Sequence, residues 1–326
     1  MSNICLLVLP WMEFKGVSGT KQNFISGGSV KAKKILQKLT PYGFLAPAVL
    51  IFALALFYPV FYSIRLSFFN WRLVEVYRKA PEFVGIQNYI KIIQSPAFQT
   101  SLKVTAIFIT VTLATELIVG LGLALLAERK IKGLHLFRTI FLLPIMVAPV
   151  VVGVLWRFMF NPNYGLVNYF LGLLGFENVL WLSKPFPALT AVILTDIWQW
   201  TPFVFLMLLA GLQNVPEDVL EASVVDGASY VQRLRHVKLP MIKSIIGLTI
   251  VLRLIDGLRA LVVMYVMTNG GPGRSTEVLS LHIYKKAFVS RRLGEASTLA
   301  VFLIIILLIV STLLFQFFNT ERRTSA

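Results

Sequence analysis

Apolar runs and the polar residues that interrupt them set the pattern of this chain. A membrane-spanning helix needs about 20 mostly apolar residues, because each advances about 1.5 Å through a hydrocarbon layer about 30 Å thick. Residues 42–64 and 296–320 meet that length without a charge. Residues 101–127, 139–160, 186–212 and 244–268 meet it while carrying one to three ionisable side chains each. The runs are continuous rather than spaced at i, i+3, i+4, which predicts an all-α integral membrane protein of six core transmembrane helices. Residues 1–41 then form an N-terminal arm, 42–318 the transmembrane domain and 319–326 a tail.

The pattern changes between the fourth and fifth spans, in a loop over residues 213–240. The stretch EASVVDGASYVQRLRHVKLP (221–240) mixes acids, bases and turn residues as a soluble helix does. Upstream, Pro216 suits a first helical position, and Glu217 and Asp218 suit the positive end of a helix dipole. The helix stops at Asp226-Gly227, where glycine tolerates a left-handed backbone. A second short helix starts at the Ser229 cap and ends among Arg233, Arg235, His236 and Lys238, with Pro240 closing it. The expectation is two short helices meeting at a glycine corner.

Composition agrees with a bilayer: 57% of residues are hydrophobic and 14% charged, with a mean hydropathy of +0.77. The net charge of +16 does not point to nucleic acid, because the basic residues are spread over membrane-flanking loops instead of clustered in a domain. With six spans both termini share a side. That side collects Lys15 to Lys38 of the arm, Arg129 to Arg138, Arg233 to Lys243, and Arg322 and Arg323. The opposite side collects Arg72 to Lys91, Lys184, and Arg274 to Arg292. The excess places both termini in the cytoplasm and the chain in the plasma (inner) membrane. KAKKILQKL (31–39) suits an anionic lipid surface or is a solvated basic arm. The first twelve residues have an apolar centre without a positive start and are read as an extension or an early start codon, not a signal peptide. Cys5 stands alone, and His135, His236 and His282 sit in separate segments, so neither a disulfide framework nor a metal site is expected.

Charges inside a span cost about 2.5 to 3.5 kcal/mol each, so they face a protein interior or a wet cavity. Asp196, Gln199, Trp200 and Phe203 recur at i, i+3, i+4 and i+7, and Arg253, Asp256, Gly257 and Ala260 share a face in the same way. Aromatic faces stack on sugar rings while carboxylates and amides bind hydroxyls, so these stripes are candidates for a saccharide pathway. Plain packing of Trp200 and Phe203, or pairing of Asp256 with Arg253 or Arg259 in its own helix, is the alternative. Arg157, near a span end, is expected to snorkel. Glu116 is either a buried hydrogen-bonded group or a contact to a partner. Arg65, Lys103, Arg157, Arg253 and Arg259 outnumber Glu116, Asp196 and Asp256 in the spans, so an acidic, uronate-containing oligosaccharide of the alginate type is one expectation.

Glu221-Ala222-Ser223, then Gly227, then Val237-Lys238-Leu239-Pro240 resembles the EAA loop of permease subunits of binding-protein-dependent ABC importers, with Ser223 for the second alanine and Val237 for isoleucine. FVGIQNYIKII, FNPNYGLVNYFLGLLG, WQWTPFVFLMLLAGLQNVPEDVLEAS and MTNGGPGRSTEVLSLHIYKKAF resemble its carbohydrate branch, the maltose-type and glycerol-phosphate-type permeases. The resemblance covers about residues 42–318. It implies a type I importer fold in which Glu221, Ala222, Ser223, Asp226, Gly227, Leu239 and Pro240 form a coupling segment seated on a separate ATPase. It also implies that the spans bearing Asp196 and Arg253 line the central cavity. The implied partners are a second permease, usually different from the first, two ATPase subunits that bind ATP and Mg, and an outer or lipid-anchored solute-binding protein.

No catalytic role is expected for this chain. GGPGRST (270–276) echoes a phosphate loop but has Thr268 in place of the first glycine and Arg274 in place of the lysine. It is read as a turn before a short helix. The alternatives are an ion-gradient transporter or channel, which has no need of a two-helix cytoplasmic loop, and a membrane enzyme, which needs clustered acids or histidines.

Overall fold

The computed structural model describes residues 27–72, 81–128 and 134–319. By contacts the chain divides into two units, Met1–Pro59 and Val60–Ala326. The first contains most of helix α1 (Gly27–Ser67), whose Phe44–Ser67 part is apolar and long enough to cross a membrane. The KAKKILQKL segment lies in this helix. The arm before residue 27, Arg129, Lys130 and Lys132, and the tail from residue 320 fall outside the described residues.

After α1, a two-residue antiparallel pair, β1 (Phe69–Asn70) and β2 (Glu82–Phe83), leads to α2 (Gln87–Gln94) and α3 (Pro96–Ala127). Next come α4 (Leu134–Phe141), α5 (Leu143–Met146), α6 (Pro149–Met159), α7 (Leu166–Leu173) and α8 (Pro185–Gln213). Then follow α9 (Glu217–Val225), α10 (Tyr230–Arg233), a π turn at Leu234–Lys238, and α11 (Leu239–Arg259). The remaining elements are α12 (Val262–Thr268), α13 (Leu279–Tyr284), a π turn at Lys285–Val289, and α14 (Leu293–Asn319). Prolines open α3, α6 and α8, where a missing N–H costs nothing.

Among the described residues, four helices are apolar and long enough to cross a membrane: Phe44–Ser67, Pro96–Ala127, Pro185–Gln213 and Leu293–Leu314. The third and fifth sequence windows are broken instead of continuous. In the third, Val147 and Ala148 turn extended between α5 and α6, at the Pro149 that cannot continue a helix backwards. In the fifth, Ala260 is extended and separates α11 from α12. Its carbonyl accepts the Ser280 hydroxyl at 2.5 Å, so the break is satisfied internally.

Within the second unit, α3 and α8 form the central pair. A Cβ on Gly120 of α3 would meet Val204 Cγ1 at 2.9 Å and the Phe205 amide nitrogen at 3.2 Å, so only glycine lets these backbones approach this closely. Gly153 of α6 fits under Val266 of α12 in the same way, at 2.9 Å. Phe108, Val192 and Met264 are buried together around one end of this pair, and Val204, Phe205 and Leu208 around the other.

The turn read from GGPGRST is present between α12 and α13, and a polar clamp closes it. Glu277, 3% exposed, takes a hydrogen bond from His282 Nδ1 at 2.6 Å and another from Lys285 Nζ at 2.9 Å, while Lys285 also donates to the Asn269 carbonyl at 2.7 Å. Burial pushes the Glu277 carboxyl up, but the two donors outweigh it and hold the group at about 2, below its ordinary 4.5. A depressed carboxyl stabilises the fold fully above its unfolded value and progressively less as pH falls toward the folded one. The contribution is about 3 kcal/mol at about 1.36 kcal/mol per pH unit. Thermal unfolding in detergent is therefore expected to show Glu277→Gln less stable than the parent near neutral pH, with the gap closing between pH 4.5 and about 2. A gap independent of pH over that window would refute the clamp.

Candidate functional site

Three helices deliver charges to one buried point. Arg253 of α11 donates from Nε to Glu116 Oε2 and from Nη2 to Glu116 Oε1, both at 2.7 Å, a two-pronged fork from α11 to α3. The same Nη2 donates to Asp196 Oδ2 of α8 at 2.8 Å. The side chains of Arg253, Glu116 and Asp196 are 2%, 0% and 8% exposed. The Arg253 guanidinium also lies 4.7 Å from the centre of the Trp200 ring. One cation thus joins α3, α8 and α11 and covers one face of an indole.

Beside this knot is a cavity of about 250 Å³. Asp196, Gln199 and Trp200 line it from α8, Arg253, Asp256 and Arg259 from α11, and the Ala260–Met264 break and start of α12 complete it. Gln199 also donates to the Val147 carbonyl at 3.2 Å, so the other helix break is tied to the same face. Among the described residues Asp256 and Arg259 make no ion pair, which leaves an acid and a base facing the space.

Of the two predicted stripes, Asp196, Gln199, Trp200, Arg253, Asp256 and Ala260 line the cavity together. Two members do other work. Phe203 stands perpendicular to Trp200, with ring centres 6.2 Å apart, and packs into the apolar cluster around Phe205. Gly257 is a close-approach point, where a Cβ would meet Ile109 of α3 at 3.1 Å. The alternative pairing of Asp256 with Arg253 gives way to the pairing of Arg253 with Glu116 and Asp196, because two partners on other helices already take its fork. Arg157 donates to the Val266 carbonyl at 3.1 Å.

The loop after α8 forms the two helices read from sequence. Asp226 ends α9, Gly227 takes φ +77, its amide donates to Val224 O at 3.0 Å, and the Ala228 amide donates to Ser223 O at 3.0 Å. This is the paired-bond ending of a Schellman motif. Ser229 and Gln232 then make a reciprocal capping box at the start of α10. Glu221 and Ala222 are exposed on α9, while Ser223 is buried and donates to Leu220 O at 2.6 Å. Pro240 does not close the second helix. The backbone runs from α10 through the π turn into α11, and the Leu239 amide reaches back to Leu234 O, so the wider turn absorbs the donor that Pro240 lacks.

Two residues of this architecture had only weak sequence signals. Glu116 was legible as a charge inside an apolar run, but its partner lies far along the chain. Glu128 caps the end of α3 and accepts from Lys238 Nζ at 2.6 and 2.7 Å, and nothing in the local pattern links the two.

Comparison with known proteins adds an independent observation. A family profile described as "Binding-protein-dependent transport system inner membrane component" matches residues 116–324. The chain is 40% identical over 199 residues to the trehalose/maltose transport system permease protein MalF of Thermococcus litoralis, covering 61% of this chain and 68% of that protein. It is 32% identical over 288 residues to the sn-glycerol-3-phosphate transport system permease protein UgpA of Pectobacterium atrosepticum, covering 87% of this chain and 95% of that one. Its fold matches a chain of a bacterial ABC transporter involved in the import of the acidic polysaccharide alginate, with TM-score 0.75, 22% identity, and coverage of 91% and 100%.

Proposed function

Because the chain belongs to the family of inner membrane components of binding-protein-dependent transport systems, we propose that it is one half of the permease of an ATP-driven carbohydrate importer. It crosses the plasma membrane six times with both termini in the cytoplasm, the third and fifth crossings being the broken ones. A second, similar permease chain pairs with it, a solute-binding protein delivers the sugar outside, and two ATPase subunits carrying ATP and Mg act on α9 and α10 inside. Glu221, Ala222, Ser223 and Asp226 with Gly227 form the seat, and Leu239 and Pro240 begin the helix that the seat moves. Family membership favours this reading over an ion-gradient transporter.

The observation that carries the substrate class is the cavity at the helix breaks, where an indole, an amide, a carboxylate and a guanidinium converge. That set suits ring faces and hydroxyls. The likeness to a trehalose/maltose permease supports the same class. Charge narrows it. Arg253 is met by two carboxylates, Glu116 and Asp196, and Arg259 shares the lining with Asp256, so the cavity has no surplus of positive charge for a uronate. The assembled importer, co-purified on the tagged chain with its binding protein, is expected to hydrolyse ATP faster with a neutral disaccharide such as maltose or trehalose than with an oligouronate. Stimulation by the oligouronate alone would overturn the neutral reading, and stimulation by no saccharide would overturn the carbohydrate one.

A further inference from the structure

α3 and α11 are tied to each other twice. At one level Arg253 grips Glu116. At the other, Lys238 Nζ lies 2.6 and 2.7 Å from the two oxygens of Glu128, with side chains 11% and 21% exposed. The two acids are about 18 Å apart along α3 and the two bases about 22 Å apart along α11, at about 1.5 Å per residue. The end of α3 is also held by Arg138, which donates to the Ala127 carbonyl at 3.2 Å. Lys238 belongs to the π turn that joins the two-helix loop to α11, a wider turn at which a helix can bend.

We propose that the Lys238–Glu128 ion pair is a positioning pair that makes α3 follow the loop. Movement at α9 and α10 reaches α11 through the backbone, but α3 has no such connection to them. With the pair closed, α3 and α11 travel as one frame and bring Glu116 and Arg253 with them, so the cavity changes shape without the buried knot being torn. With the pair open, the loop turns α11 at the π turn while α3 lags. This rests on the coupling role proposed for the loop.

The test uses the importer co-purified on the tagged chain and reconstituted in proteoliposomes, reading maltose uptake and ATP hydrolysis together. Lys238→Met and Glu128→Gln are expected to retain the ATPase subunits and hydrolysis but to lower uptake per ATP about tenfold, within the roughly 5- to 150-fold range of allosteric coupling. Lys238→Arg, which keeps the cation, and the exchange Glu128→Lys with Lys238→Glu are expected to restore it. An unchanged ratio in both single variants overturns the proposal. So does a lowered ratio that the exchange fails to restore, which gives the two side chains separate roles, or loss of the ATPase subunits from all four variants, which assigns the pair to assembly alone. Glu221→Arg, measured alongside, separates the two readings. If it transports normally, the coupling role of the loop is wrong; if it uncouples while Lys238→Met does not, only the positioning pair is wrong.

Discussion

Arg253→Met is expected to destabilise the protein by about 3 to 5 kcal/mol, the cost of leaving buried charges without their partner. Two carboxylates, Glu116 and Asp196, depend on this one guanidinium: Glu116 is fully buried, and Asp196, 8% exposed, reaches only the cavity. Hydrogen bonds between spanning helices are worth about 0.6 kcal/mol on average, so loss of neutral contacts would be a small effect; the stranded charges make it a large one. Arg253→Lys is expected to fall between, because an ammonium cannot make the fork to Glu116. Removing all three charges at once, with Glu116→Met, Asp196→Leu and Arg253→Met, is expected to return stability to the parent level or above, since an apolar replacement of a buried ionic cluster is neutral or favourable by about 1 to 4 kcal/mol. Uptake should stay lost in that variant, because Asp196 and Arg253 also line the cavity. Thermal unfolding in detergent checks the first part and uptake by the reconstituted importer the second. A single variant as stable as the parent would mean that the knot does not hold α3, α8 and α11 together.

The same residues show what sequence can and cannot reveal. Hydropathy located each of the four long apolar helices among the described residues, because burial in lipid demands an unbroken run and little else. It did not reveal that the third and fifth windows break, since Val147 and Ala260 are apolar and such a break is recorded in who accepts from Gln199 and whose hydroxyl reaches the carbonyl. The loop helices were legible down to the glycine corner, because caps and a left-handed turn are local and use few residue types. Pro240 misled for the complementary reason: a π turn relieves a proline as well as a helix end does, and the pattern LRHVKLP does not distinguish them. The stripe on α8 put Asp196, Gln199 and Trp200 on one face, and all three line the cavity, yet no periodicity ties Arg253 to Glu116 or Lys238 to Glu128. Long-range ion pairs obey no spacing rule, only the requirement that a buried charge be met.

Gly227 carries the second large effect, on function more than on folding. Its φ of +77 costs a residue with a side chain about 1 to 2 kcal/mol, with asparagine tolerated best. Gly227→Asn is therefore expected to keep uptake near the parent level and Gly227→Ala to lower it a few-fold. Gly227→Pro is incompatible in three ways. Its ring fixes φ near −65°, it removes the amide that donates to Val224 O, and it disfavours the helical conformation of Asp226 before it. The corner between α9 and α10 must then open, and the exposed face bearing Glu221 swings away from the direction in which α11 leaves the loop. The expected result is uptake below about a tenth of the parent, the size of a lost coupling free energy of roughly 1 to 3 kcal/mol, with the long helices still assembled. Uptake and ATP hydrolysis measured together in proteoliposomes across the Asn, Ala and Pro series decide it. Losses that follow the strain at this corner, with hydrolysis preserved, mark the bend as the part that carries the push, whereas a proline variant that imports normally leaves α9 and α10 as a passive connection.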